Sequence, residues 1–226
     1  MVAGGRGERL GGEPKQFRPL GGRPVVCWAT RALLTSLSGP VVVVLPRSAM
    51  DEGEALLAAH LPESAERLRY AAGGARRQDS VRAGLELLPS DGAVLVHDAV
   101  RPFASHSLVE RVAREAVSGR IVVPALAPPD TLKRVDGDRV VETIDRRSLV
   151  AVQTPQGFPL GLLRVAHAAW KDDEEATDDA AVCERHGAPV AWLPGETLNR
   201  KLTGADDWWW AERLIESGRV RWGGEE

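Results

Sequence analysis

Five consecutive aliphatic residues, Val41-Val42-Val43-Val44-Leu45, constrain the fold of this chain more than any other stretch. Their β-branched character suits a strand. An unbroken rather than alternating apolar run suits a strand covered on both faces, as in layered α/β proteins. The same reading extends to residues 67–71, Ala93-Val94-Leu95-Val96, Ile121-Val122-Val123, residues 149–153 and Val190-Ala191-Trp192-Leu193. Helical patterns separate these runs. Pro24 opens one that leads through Val25-Val26 to Leu33-Leu34, Ser80-Val81 leads to Leu85 and Leu88, and Ser107-Leu108 leads through Val112 to Ala116. Thr177, followed by Asp178 and Asp179, reads as a capped helix start. Such alternation predicts an α/β protein with a mostly parallel central sheet flanked by helices.

One segment departs from the rhythm. Thr131-Leu132-Lys133-Arg134-Val135, the turn Asp136-Gly137-Asp138, and Arg139-Val140-Val141-Glu142-Thr143 read as a β-hairpin. Its mixed, charged strands predict an arm at about 130–145 that projects from a single domain spanning 1–226. The start of the chain is unusual too. A glycine-rich loop normally follows a strand, yet only Met1 and Val2 precede Ala3-Gly4-Gly5-Arg6-Gly7-Glu8-Arg9-Leu10. Either the first strand is very short, or the natural sequence begins earlier.

A net charge of −3 gives no electrostatic reason to expect nucleic acid or a membrane surface as partner. A phosphate site on this chain must therefore be a local basic cluster. Cys27 and Cys183 have neither metal-ligand nor redox spacing, which predicts a reducing compartment. With no hydrophobic signal core at the amino terminus, cytoplasm is the expected location.

Four segments carry candidate chemistry. In the opening loop, glycines let the backbone approach a polyphosphate, and Arg9 and Lys15 bracket the turn. Two fixed cations beside a phosphate cradle suit charge developing on a transferring phosphoryl group; the alternative is a solvated basic loop. The loop has Leu10 where a dinucleotide fingerprint needs its third glycine, and no Gly-Lys-Ser/Thr follows. In Val94-Leu95-Val96-His97-Asp98, the strand ends in a carboxylate at the ligand-binding edge of an open sheet. Asp98 there would hold Mg²⁺, or else cap a turn and pair with Arg101; His97 reads as a packed residue rather than a base. Gly73-Gly74 followed by Ser80 is a second place for close backbone approach, here to a flat base, or a plain strand-to-helix turn. Arg146 and Lys201 read as phosphate clamps or as surface charges. Trp208-Trp209-Trp210 falls in a helical stretch with no basic companions, which favours core or interface packing over base stacking.

Together these segments resemble one family, the 2-C-methyl-D-erythritol 4-phosphate cytidylyltransferases. The carrying pieces run in order: Ala3-Gly4-Gly5 through Pro14-Lys15-Gln16-Phe17, Gly73-Gly74 with Arg77-Gln78-Asp79-Ser80-Val81, and His97-Asp98-Ala99-Val100-Arg101-Pro102-Phe103. Asp130-Thr131-Leu132-Lys133, Thr143-Ile144-Asp145-Arg146, Gln153-Thr154-Pro155-Gln156, Thr177-Asp178-Asp179 and Asn199-Arg200-Lys201-Leu202-Thr203 complete the set. The resemblance implies a Rossmann-like nucleotidyltransferase fold and a homodimer joined through the β-arm. It implies reaction of CTP with a phosphorylated polyol, 2-C-methyl-D-erythritol 4-phosphate, assisted by Mg²⁺ at Asp98. Arg9 and Lys15 would stabilise the transition state at the α-phosphate, with Arg146 and Lys201 completing the catalytic set. Ala3, Gly4, Gly5, Gly7, Gly74, Ser80, Asp98 and Ala99 would hold CTP. Arg101, Thr131, Arg146, Thr177 and Lys201 would hold the acceptor, Thr131 and Arg146 acting in the neighbouring subunit's site.

The chain departs from the family's pattern at Ala75, where some relatives carry an acid beside the base, and at Arg200, in place of an apolar residue. A related ribitol 5-phosphate cytidylyltransferase is the nearest rival; the segments at 77–81, 143–146 and 177–179 favour the methylerythritol enzyme.

Overall fold

The computed structural model describes residues 1–4, 14–171 and 174–223. Its frame is a sheet sandwiched between helices. The strands that build it are β3 (Val41–Leu45), β4 (Leu68–Ala72), β5 (Ala93–Val96), β6 (Ile121–Leu126), β9 (Ala151–Val152), β10 (Gln156–Pro159) and β11 (Val190–Pro194). The helices are α1 (Val25–Ser36), α2 (Met50–His60), α3 (Arg77–Glu86), α4 (His106–Val117), α5 (Leu160–Ala169), α6 (Asp179–Arg185) and α7 (Ala205–Glu216). Two small hairpins stand apart from the sheet: β1 (Pro19–Leu20) with β2 (Arg23–Pro24), and β7 (Leu132–Asp136) with β8 (Arg139–Ile144).

Every residue of β3 is buried, as its composition predicts. Val41, Val43 and Leu45 pack with α1, α2 and α4, while Val42 and Val44 face the α3 side. The alternation follows from the two-residue period of a strand. On the α3 face, Val94, Val96, Ile121 and Phe158 join side chains from α3, α5 and α6 in a second core. A third core forms where α7 lies over the start of α1. There Trp28, Phe103 and Trp210 pack with edge-on and tilted rings, Trp208 is buried in the same cluster, and the Trp28 and Trp208 indole N–H groups donate to the Leu20 and Pro19 carbonyls. Trp209 points outward, so the tryptophan run is mainly packing.

The sheet is mixed, and this corrects the mostly parallel expectation. β3 and β4 are parallel, as are β6 and β11. Between β5 and β6, however, lies β10, antiparallel to both. Gln156-Gly157-Phe158-Pro159 has no aliphatic run to mark it as a strand. Its place depends on α4, which crosses so closely that a Cβ on Gly157 would lie 2.8 Å from Val112 Cγ1. The strand expected at 149–153 shrinks to β9, a two-residue antiparallel partner at the end of β6.

Residues 1–3 do the work of a first strand. Val2 bridges in parallel to both Val44 and Asp98. Its N–H donates to the His97 carbonyl at 2.8 Å, and the Ala3 N–H donates to the Val44 carbonyl at 2.8 Å. This short segment therefore joins β3–β4 to β5 and gives the order β4, β3, residues 1–3, β5, β10, β6, β11.

Helix starts are shifted slightly from the sequence reading. Asp178, not Thr177, caps α6, accepting the Ala181 N–H at 2.8 Å. Ser105 caps α4 through the Leu108 N–H at 3.0 Å. The hairpin of β7 and β8 forms as expected, with Gly137 alone at positive φ (58°) in its two-residue turn, the glycine-first pattern of a type II′ turn. Most of its residues are exposed, including Val135, Val140 and Val141.

Candidate active site

The carboxyl ends of β3, β4, β5 and the residue 1–3 segment meet at one edge of the sheet, where open α/β sheets bind ligands. A cleft of about 510 Å³ opens there. Ala3, Gly4, Lys15, Gly74, Ser80, Asp98, Ala99 and Lys201 all line it, so most of the sequence candidates converge. Gly5, Gly7 and Arg9 lie outside the described residues.

One wall is built around Ser80. A Cβ on Gly4 or on Gly73 would lie 3.0 Å from the Ser80 hydroxyl oxygen, and one on Gly74 would overlap Asp79 Cβ. Glycine at these positions lets the loop after β4 press against the start of α3. The Ser80 hydroxyl accepts the Gly74 N–H at 3.2 Å and donates to the Arg76 carbonyl at 3.3 Å. Ser80 thus fastens the strand-to-helix turn while remaining part of the cleft wall.

Asp98 is the one acidic side chain among the described residues lining the cleft. Lys201 Nζ donates to its Oδ2 at 2.8 Å, Arg77 Nη2 lies 3.8 Å from Oδ1, and Arg101 Nε lies 3.9 Å from Oδ2. Burial alone would raise the Asp98 pKa, but Lys201, Arg77 and Arg101 outweigh it and hold the carboxyl below its usual range. Asp98 is therefore an anion in a ring of cations.

His97 has a different job. It is fully buried, with Nε2 3.0 Å from the Arg101 carbonyl and Nδ1 2.9 Å from the Thr154 hydroxyl. A carbonyl only accepts, so Nε2 carries the proton. Nδ1 then accepts from Thr154, whose oxygen in turn accepts the Asp98 backbone N–H at 3.0 Å. Burial lowers the His97 pKa to about 4, which keeps the ring neutral. This imidazole holds the Asp98 turn and is not a base facing the cleft.

Lys201 sits on a rigid backbone. Leu202 and Asn199 are fully buried, and the Leu202 N–H donates to the Val100 carbonyl at 2.8 Å. The Asn199 amide donates to the Thr154 carbonyl at 2.7 Å, and Arg101 Nη1 donates to the Asn199 carbonyl at 2.8 Å. Arg101 stands behind Asp98 rather than in the cleft lining. Lys15 Nζ donates to the Thr203 carbonyl at 2.6 Å, which ties the loop after residue 14 to the Lys201 segment. Arg200, the unusual neighbour of Lys201, turns outward to pair with Asp207 at 2.7 Å and stack over Trp210. Thr131, Arg146 and Thr177 are exposed and do not line the cleft; Arg146 Nη1 donates to the Pro128 and Pro129 carbonyls just before the β7–β8 hairpin.

Arg77 is the residue that sequence reading did not single out as part of the site. It opens α3, lines the cleft and reaches two carboxylates, Asp98 and the buried Asp179. The motif containing it was visible, but neither partner is close to it in sequence.

A profile of the family described as "IspD: 2-C-methyl-D-erythritol 4-phosphate cytidylyltransferase" matches residues 1–217. The chain belongs to this cytidylyltransferase family. It is 46% identical over 220 residues to the 2-C-methyl-D-erythritol 4-phosphate cytidylyltransferase of Nocardia farcinica, covering 96% of this chain and 92% of that protein. It is also 46% identical over 217 residues to the bifunctional enzyme IspD/IspF of Solidesulfovibrio magneticus, covering 92% of this chain. There the chain spans about half of its relative, 54% of the length. Among solved structures, the 2-C-methyl-D-erythritol 4-phosphate cytidylyltransferase of Thermus thermophilus superposes with a TM-score of 0.78 at 36% identity, covering 95% of this chain and 97% of that one. The 4-diphosphocytidyl-2C-methyl-D-erythritol synthase of Anaerococcus prevotii gives 0.81 at 26% identity, covering 95% and 93%. The fold is accordingly the α/β nucleotidyltransferase fold of the cytidylyltransferases, with a mixed sheet.

Among the described residues, no group of three or more His, Cys, Asp or Glu side chains is arranged to hold a metal. A single carboxylate in a polyphosphate-sized cleft fits Mg²⁺, which keeps waters and takes most of its remaining oxygens from phosphates. No helix among the described residues is long and apolar enough to cross a membrane.

Proposed function

We propose that the chain transfers the cytidylyl group of CTP to 2-C-methyl-D-erythritol 4-phosphate, forming 4-diphosphocytidyl-2-C-methyl-D-erythritol and pyrophosphate. The observation that carries this reading is the composition of the cleft: Lys15, Arg76, Arg77 and Lys201 line it together with one carboxylate, Asp98, beside glycine-built walls. In the reaction, an oxygen of the acceptor phosphate forms a bond to the α-phosphorus of CTP. The bond from that phosphorus to the β-bridging oxygen breaks, and pyrophosphate leaves with the electron pair. A phosphate monoester has its second pKa near about 6 and is largely dianionic at neutral pH, so the attack needs no general base. A neutral His97 turned away from the cleft agrees with that economy. What the step needs is alignment of two anions and relief of their repulsion.

Lys15, with Arg9, would stabilise the negative charge that builds on the α-phosphoryl oxygens. Lys201 would hold the acceptor phosphate, and Arg101, from behind Asp98, would steady the Lys201 segment through the Asn199 carbonyl. Gly4, Gly74, Ser80 and the backbone of Ala3 and Ala99 would receive cytidine, with Ala75 leaving base recognition to backbone and hydroxyl groups. Asp98 would hold Mg²⁺, which when bound supplies charge neutralisation to the triphosphate.

The acceptor end of the cleft would be completed by a second copy of the chain. Thr131 and Arg146 lie outside their own cleft, at the base of a hairpin with three exposed valines, Val135, Val140 and Val141. A homodimer in which the arm of one copy delivers both residues to the other accounts for their position. Two buried, unpaired cysteines agree with a reducing, cytoplasmic setting.

Pyrophosphate release by the purified protein tests the activity, with CTP and either methylerythritol 4-phosphate or ribitol 5-phosphate. A higher kcat/KM with the methylerythritol substrate is expected. No release, or a preference for ribitol phosphate, would overturn the assignment.

A further inference from the structure

Asp98 is gripped from two sides by cations of different kinds. Lys201 holds Oδ2 at 2.8 Å, but 45% of its side chain is exposed, and it has a second task at the acceptor phosphate. On the Oδ1 side, Arg77 is less exposed, at 21%, and is ion-paired to a second carboxylate. Its Nη1 lies 2.7 Å from Oδ2 of Asp179, a carboxylate with no solvent exposure. The other oxygen of Asp179 lies 3.0 Å from His167 Nε2, itself buried. The opposite amine of the same guanidinium, Nη2, is the group 3.8 Å from Asp98. One planar fork therefore spans a buried anchor and the carboxylate of the cleft.

We propose that Arg77 is a positioning residue: braced by Asp179 and His167, it holds Asp98 in the orientation that receives the nucleotide, independently of what Lys201 is doing. This inference rests on the reading of the cleft as a CTP site. The geometry of the fork is essential to it, because a lysine at the same place satisfies Asp179 or Asp98 but cannot bridge both. His167 holds the Asp179 end from α5, so α3, α5 and α6 converge on the anchor while, among the described residues, Arg77 extends from it to the cleft. Positive charge beside the nucleotide is not the point; its rigid delivery to Asp98 is.

The test is a double-mutant cycle read by calorimetric CTP binding in the presence of Mg²⁺ and without acceptor, alongside steady-state kinetics and melting temperature. Arg77→Lys keeps a cation for Asp179 and is expected to melt close to wild type. Its CTP dissociation constant should rise about tenfold, with acceptor KM changed far less. In an Asp98→Asn background, Arg77→Lys should add no more than about a twofold change, since its route to the ligand is gone. Asp179→Asn, which leaves Arg77 in place but loosens its anchor, should reproduce the CTP-side loss and also vanish into Asp98→Asn. Losses that add in the double variants would overturn the proposal in favour of direct contact or general destabilisation. Wild-type binding by both Arg77→Lys and Asp179→Asn would overturn it outright. If Arg77→Lys does not fold, Asp179→Asn carries the cycle alone. Absence of wild-type turnover would instead refute the activity, leaving the binding cycle to decide the role of Arg77.

Discussion

Alanine at position 157 would insert a methyl group 2.8 Å from Val112 Cγ1, 3.0 Å from the Val112 carbonyl oxygen and 3.1 Å from Ala116 Cβ. All three atoms belong to α4, and one is backbone, so no single rotamer change relieves the contact. Overpacking of this kind costs about 1–3 kcal/mol. The reduced freedom of the unfolded chain returns about 0.4–1 kcal/mol. The net is a loss of about 1–2 kcal/mol, or about 2–8 °C in melting temperature for a chain of this length. Thermal and urea unfolding followed by circular dichroism would measure it, with Gly39→Ala as control. Gly39 is exposed and its added Cβ meets nothing within 4 Å, so that variant should show only the unfolded-chain term, a gain of about 0.4–1 kcal/mol. Adding Val112→Ala to Gly157→Ala should restore little, because the carbonyl stays where it was. Turnover per folded molecule should be nearly unchanged, since Gly157 does not line the cleft. Gly157→Ala melting at or above wild type would mean that α4 does not press on β10, and the antiparallel insertion that defines this mixed sheet would be wrong.

Replacing Lys15 by methionine should lower kcat by roughly 10²-fold while leaving CTP binding much less affected; near-normal pyrophosphate release would remove Lys15 from transition-state stabilisation. Asp207 accepts the Thr203 N–H at 2.8 Å, the Thr203 hydroxyl at 2.6 Å and the Gly204 N–H at 3.0 Å, so its loss should loosen the segment that holds Lys15. Burial would raise the Asp207 pKa, but these hydrogen bonds and Arg200 outweigh it and lower it from 3.8. Its stabilising effect is therefore complete above that value and lost as pH falls through the lower folded value. Asp207→Asn should flatten the fall in melting temperature as pH drops below the ordinary carboxylate value of 3.8, and an unchanged profile would exclude the effect. Charged replacements of Val135 and Val140 on the arm should yield monomers in sedimentation with turnover lost and CTP binding kept; a fully active monomer would exclude a shared acceptor site.

Much of the frame was legible in the amino-acid sequence because its causes are local. An aliphatic run such as Val41–Leu45 announces a strand wherever it is placed, and the hairpin at 132–144 announces itself through Asp136-Gly137-Asp138, although the turn that forms is the glycine-first pair Gly137-Asp138 and not Asp-Gly. Lys15, Gly74, Ser80, Asp98 and Lys201 were found as pieces of ordered motifs, and the cleft gathers all five. Other features carry no local mark. Gln156–Pro159 is a strand only because β5 and β6 flank it and α4 tolerates nothing larger than glycine there.

The sequence by itself determined the alternation of elements, the site-bearing motifs and the family to which they belong, because those depend on residue type and short spacing. The tertiary structure decided that residues 1–3 join the two halves of the sheet, that His97 is a neutral strut, and that Arg77 links Asp98 to Asp179. The physical reason is common to all three. Each is a pairing of backbone or charge between segments distant in the chain, and a buried hydrogen bond or ion pair takes its meaning from the partner that folding brings to it.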